Sequence, residues 1–155
     1  MFNLSDYIGP IIIFLLIASR LVKTQPVKDS FKGVIILIVI GAVSVYHALP
    51  DLTLNFATIV IIAWSCITGL VFGAIRGTTV KVYLDRQTNT WMRSGSIMTI
   101  IVFVIGVAVN EGVAHLLLSN ASSISGVTEM LHMGLSILAG RIVHLNKRAI
   151  AQGRR

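Results

Sequence analysis

Charge is scarce in this chain, and acid is scarcer than base. Charged residues make up 12% of it, six Asp or Glu against thirteen Lys or Arg. Beside 55% hydrophobic residues, so little charge cannot cover a water-soluble fold of 155 residues with polar surface. The expectation is a protein that lives in lipid. There is a single cysteine, Cys66, inside an apolar segment. With no second thiol, an intrachain disulfide framework and a dithiol relay are both excluded. Catalytic signatures are missing as well: the sequence holds no His-Glu-x-x-His zinc-protease motif, no Walker A lysine loop and no Gly-x-Ser-x-Gly elbow. Neither a repeat nor a low-complexity tract is evident. The first apolar segment starts from acidic Asp6, lacks a basic lead-in and has no Ala-x-Ala-like exit, so it reads as a retained helix rather than a cleaved signal.

What is present is ordered by its basic residues. All thirteen Lys and Arg fall in three clusters, at 20–32, 76–93 and 141–155, each just past an odd-numbered apolar segment. The two intervening connections carry none. Lys/Arg excess marks the cytoplasmic side of a membrane protein. The pattern therefore predicts one all-α integral membrane domain of five transmembrane helices, at about 7–22, 33–49, 54–75, 96–118 and 126–145, with the N-terminus outside and the C-terminus cytoplasmic. The net charge of +7 then reflects topology and contact with the bilayer's anionic headgroups, not nucleic acid. Arg20, Lys23, Arg76, Arg93 and Arg141 are the expected headgroup contacts. Arg141, about one turn inside its segment, would reach them by snorkelling. Gly69 and Gly73 form a small-xxx-small pair that lets another helix approach closely.

Between the third and fourth segments, Val80, Val82 and Leu84 alternate with Thr79, Lys81 and Tyr83, and the polar stretch from Asp85 to Asn89 can turn the chain. That alternation suits a small cytoplasmic β-hairpin, with Trp91 anchored at the headgroups. Gly69, Gly73, Arg76-Gly77, Asp85, Trp91 and Arg93 in this order, with the Arg20-to-Pro26 spacing after the first segment, resemble the CcdC-like family of small bacterial membrane proteins. The resemblance implies a multi-pass helical protein of the bacterial cytoplasmic membrane. Its name implies an association with cytochrome c maturation, a pathway of haem and thiol chemistry.

The last two segments carry unusual polar content: Asn110, Glu111 and His115 in one, Glu129 and His132 in the other. An ionisable side chain within a span is costly and marks a candidate site. At 1.5 Å per residue, Glu111 and His132 lie about 10 and 9 Å below the outer edge, and His115 and Glu129 roughly 4–5 Å below it. An antiparallel hairpin would therefore face Glu111 with His132 and His115 with Glu129. Three readings compete: a polar clasp holding the helices together, a site for Zn²⁺ or haem using His47, His115 and His132, and a proton-linked path. His144 reads as interfacial, and Trp64 as apolar packing. The expected function is a membrane binding, accessory or regulatory protein and not an enzyme, with an outward-facing Glu/His cluster and a membrane partner or a second copy of itself. The alternative is a small proton-coupled transporter acting as an oligomer.

Overall fold

The computed structural model describes residues 19, 21–27, 29–49, 56–117 and 122–153. They form four helices, α1 (Lys32–Ala48), α2 (Phe56–Thr79), α3 (Ile97–Leu117) and α4 (Ser122–Gly153), and three strands, β1 (Gln25–Pro26), β2 (Lys81–Asp85) and β3 (Thr90–Ser94). The five-span all-α expectation is corrected on two counts. Among the described residues only α2 and α3 are long and apolar enough to cross a membrane. The 17 residues of α1 reach about 25 Å at 1.5 Å each, short of a hydrocarbon core near 30 Å. α4 has 32 residues but carries Glu129, His132, Arg141, His144, Lys147 and Arg148 along its length. The segment predicted at 7–22 lies, but for Ser19, Leu21 and Val22, outside the described residues. The second correction is the sheet, whose third strand makes the fold mixed α and β.

The sheet is antiparallel in the order β1-β3-β2. In the β2–β3 pair Lys81 faces Ser94, Tyr83 faces Met92 and Asp85 faces Thr90. Its turn, 86–89, is shaped by Asp85, whose carboxylate accepts from the Gln87 N–H at 3.1 Å and the Thr88 hydroxyl at 2.8 Å. These bonds favour the ionised form and hold Asp85 below the usual carboxylate range. Asn89 closes the turn at φ 50°, the left-handed region that asparagine tolerates. β1 adds Gln25 opposite Arg93 and Pro26 opposite Met92. Proline has no N–H to donate, and it sits here on an edge strand, where that costs least.

α2 is the spine. Its Ser65, Gly69, Gly73 and Gly77 recur every four residues and meet Thr128, His132, Ser136 and Gly140 of α4, also every four. The matched order makes these two helices parallel. Their approach is close: a Cβ on Gly69 would stand 2.7 Å from the His132 carbonyl oxygen, and one on Gly73 2.6 Å from Ser136 Cα. Such spacing is the small-residue packing that substitutes for a hydrophobic drive between helices in lipid. α3 runs antiparallel to α2, with Thr79 bonded to Thr99 at one end and Ser65 to Asn110 at the other. α1 packs against α4 through Gly41 on Leu131 and Ile38 on Gly134.

Two local devices join sheet to helices. At the start of α3, the Thr99 N–H donates to the Ser96 carbonyl and the Thr99 hydroxyl accepts from the Ser96 N–H, a reciprocal cap. At the end of α2, where carbonyls lose their helical partners, Lys147 Nζ donates to the carbonyls of Gly77, Thr78 and Val80 at 3.2, 2.6 and 2.7 Å.

The distribution of polarity is inverted. Among the described residues the buried apolar side chains are Val34, Ile61, Val80, Ala114 and Ala139, while Thr58, Ser65, Thr68, Asn110, Thr128, His132 and Ser136 are buried too. Large apolar side chains instead line the outside of α1, α2 and α3, among them Ile36, Val39, Phe56, Ile59, Ile97 and Leu116.

Candidate functional site

The predicted Glu/His cluster resolves into a different arrangement. α3 and α4 touch only slightly, and among the described residues no ion pair joins Glu111 or His115 to Glu129 or His132. Polar groups meet through α2 instead. The Ser65 hydroxyl donates to Asn110 Oδ1 at 2.8 Å and lies 3.1 Å from the Thr128 hydroxyl. The Thr68 hydroxyl lies 2.8 Å from the Trp64 carbonyl and 3.3 Å from Asn110 Oδ1. His132 Nδ1 lies 3.2 Å from both the Ser65 carbonyl and the Thr68 hydroxyl. A carbonyl oxygen only accepts, so a bond to Ser65 needs the proton on Nδ1, whereas the Thr68 hydroxyl can pair with either tautomer.

Asn110 and His132 are each 3% exposed, Glu111 and Glu129 are half-buried, and His115 and His47 are exposed. Glu111 is near enough for its charge to act on both Glu129 and His132. Among the described residues no group of three or more His, Cys, Asp or Glu side chains is placed to hold a metal ion. His47 instead rests its ring edge against Tyr46, centroids 5.9 Å apart. Sequence reasoning missed Ser65, Thr68 and Thr128; the four-residue spacing that Ser65 shares with Gly69 and Gly73 was the available signal.

Asn110→Leu is expected to cost only about 1 kcal/mol, in line with interhelical hydrogen bonds in membranes. Both hydroxyls that face Asn110 keep an alternative acceptor, Thr128 for Ser65 and the Trp64 carbonyl for Thr68. Thermal unfolding in detergent measures this; a loss above about 3 kcal/mol would show that the network is not redundant in this way.

The more distinctive site lies at the other end of the helices, where they meet the sheet. Three cavities share Arg93 as a wall. One of about 40 Å³ is lined by Lys23, Arg76, Arg93, Thr99 and His144. The second, about 120 Å³, lies among Gln25, Val27, Arg93, Arg141 and His144. A third, about 350 Å³, runs from Arg76 and Arg93 to Leu21, Phe103, Met133 and Ile137. Among the described residues no carboxylate lines any of them.

The cations are held but not neutralised. Arg76, 8% exposed, donates to the Ser136 carbonyl at 3.2 Å and stacks 5.8 Å from the Phe103 ring. Arg93 donates to Gln25 Oε1 at 3.1 Å, across the β1–β3 pair. Arg141 donates to the Ser30 carbonyl and lies over the Phe31 ring. Among the described residues the one ion pair is Arg148 with Asp29, at 2.6 Å and facing solvent. Burial, and then the charge of Arg141, holds Arg93 below the ordinary guanidinium range. His144, 6% exposed, has its Nε2 buried without a hydrogen-bond partner among the described residues. Burial, followed by the charges of Arg93, Arg76, Lys147 and Arg141, pushes the His144 imidazole down to about 4.

Of the predicted headgroup contacts, Lys23, Arg76, Arg93 and Arg141 thus converge on these cavities, and Arg20 lies outside the described residues. His144, read from the sequence as interfacial, is the buried member of the group. Fold and site together define a helical protein with two membrane-length helices, closed at one end by a sheet and a basic cavity. Compared with known proteins, the chain matches no family model, no curated protein and no solved structure.

Proposed function

We propose that the protein is a multi-pass binding or accessory protein of the bacterial cytoplasmic membrane, not an enzyme, and that its site binds a phosphate-type anion at the sheet end. Membrane residence is supported by the apolar exteriors of α2 and α3 around a polar interior. Orientation is supported by Arg76, Lys81, Arg86 and Arg93, an excess of base in the connection between those helices of the kind found on the cytoplasmic side. The resemblance to the CcdC-like family, carried by the residues quoted above, agrees with this placement.

The single observation that carries the binding reading is the convergence of Arg76, Arg93, Arg141 and the unpartnered His144 Nε2 on cavities that no described carboxylate lines. A buried charge that is left unpaired costs several kcal/mol, and each guanidinium has five N–H donors of which only part is used here. A tetrahedral oxyanion supplies both the missing charge and the missing acceptors.

The test is titration of the detergent-solubilised protein with inorganic phosphate, with chloride as the control for ionic strength. Phosphate is expected to raise the unfolding temperature and Arg93→Gln to weaken its binding at least tenfold, the equivalent of about 1.4 kcal/mol. If phosphate does no more than chloride at equal ionic strength, the reading falls.

A further inference from the structure

Resting on that reading, we infer that the anion is the headgroup of a membrane lipid ending in a phosphate monoester, with its chain lying in the cleft lined by Leu21, Phe103, Met133 and Ile137. Two features of the site point there. The first is shape. The 350 Å³ cavity is lined by Arg93 and Gln25 of the sheet, by Arg76, which lies beside Phe103 and Ser136, and by the apolar Leu21, Phe103, Met133 and Ile137. Its volume falls within the roughly 300–1,000 Å³ of ordinary small-molecule sites.

Depth can be read from the helix contacts. Gly140 lies level with Gly77 near the sheet end of α2. Met133 is seven residues before Gly140, so the cleft runs about 10 Å away from the sheet at 1.5 Å per residue. That direction is into the layer crossed by α2 and α3. A water-soluble anion would use only the arginines, whereas a lipid also covers the apolar side chains.

The second feature is charge. Arg76 is buried and Arg93 half-buried; both lack a carboxylate partner among the described residues and face the same cavity. Arg141 adds a third cation beside Arg93. A phosphodiester headgroup brings one negative charge; a phosphate monoester brings about 1.5 to 2 at neutral pH and three strong acceptor oxygens. The monoester's charge matches the buried Arg76 and the half-buried Arg93 together, and its third oxygen can face the adjoining cavities, which Arg93 also lines and where His144 Nε2 has no partner among the described residues.

The full chain in detergent is titrated with dioctanoyl phosphatidic acid, dioctanoyl phosphatidylglycerol, dioctanoyl phosphatidylcholine and glycerol 3-phosphate. Phosphatidic acid is expected to bind at least tenfold tighter than phosphatidylglycerol and at least tenfold tighter than glycerol 3-phosphate, with phosphatidylcholine weakest. Met133→Trp, which fills the cleft, should bring phosphatidic acid down to the affinity of glycerol 3-phosphate. Equal binding of the two anionic lipids would overturn the monoester assignment. Equal binding of glycerol 3-phosphate would overturn the role of the cleft while leaving a soluble phosphate site. Binding of none of the anions would overturn this inference and the phosphate reading together.

Discussion

Gly73→Val will separate α2 from α4 and leave little folded protein, while Gly112→Ala in α3 will be tolerated. The two sites differ in what a side chain would meet. At Gly73 a Cβ would stand 2.6 Å from Ser136 Cα, and that atom belongs to backbone which cannot rotate away. At Gly112 nothing among the described residues lies within 4 Å. Forcing extra methyl groups into a packed contact typically costs 1–3 kcal/mol, and a backbone-to-backbone contact belongs at or above roughly 3 kcal/mol. The damage spreads, because the same face of α2 carries Gly69 against the His132 carbonyl and Gly77 against Gly140. Moving the helices apart also breaks the Arg76 bond to the Ser136 carbonyl and unseats Lys147 from the end of α2. Gly112→Ala removes a helix-interior glycine and should be neutral or stabilising by up to about 1 kcal/mol. Yield of monodisperse protein and unfolding temperature in detergent are the measurements. A Gly73→Val protein as stable as the parent would mean that the helix pair is not packed on this stripe.

The second large effect is a pH dependence that comes from His144. Its folded value is about 4 against an ordinary 6.5, so between those two values the unfolded chain binds the proton and the folded one does not. Stability therefore rises with pH across that window and is lost as pH falls from 6.5 towards 4. A tenfold difference in proton affinity between the two states corresponds to about 1.4 kcal/mol, so after allowance for residual screening the loss is on the order of 2 kcal/mol. The groups that set it are Arg93 on β3, Arg76 on α2, and Arg141 and Lys147 on α4 itself. All are cations. His144→Leu removes the proton from both states, so the variant should gain on the parent by that amount as pH is lowered from 7 to 4. Thermal unfolding of the two proteins in parallel cancels the carboxylates, which they share. Parallel pH profiles would mean that the imidazole is hydrated in the folded protein.

How much of this was legible in the sequence differs from element to element. The alternation of Val80, Val82 and Leu84 is a local pattern of period two, and it marks the strand now seen as β2. β1 is two residues long, too short for any period, and its partners Met92 and Arg93 are far away in sequence. Counting apolar segments overstated the spans because an apolar run need be neither long enough nor free enough of charge to cross by itself. The 17 residues of α1 and the charges along α4 carried the distinction. The charge pattern singled out Arg76, Arg93 and Arg141 one by one, as expected headgroup contacts. Their convergence was not legible, since it depends on β3 and α4 both returning to the end of α2. His144 was missed for the same reason: near a helix end it resembles an interfacial residue, and only the tertiary fold buries its Nε2 among three arginines.

The parallel run of α2 and α4 bears on how the chain is assembled. α2, the sheet hairpin and α3 are contiguous, at 56–117, and hold both helices apolar enough to enter a bilayer by themselves. α4 is too polar for that, yet it owns one side of the glycine stripe and supplies, in Lys147, the groups that tie off the end of α2. On the proposed membrane reading, insertion and completion are separate steps of synthesis. The helical pair emerges from the ribosome first with a bare seam of small residues along α2, and the basic cavity does not exist until the last helix closes over that seam.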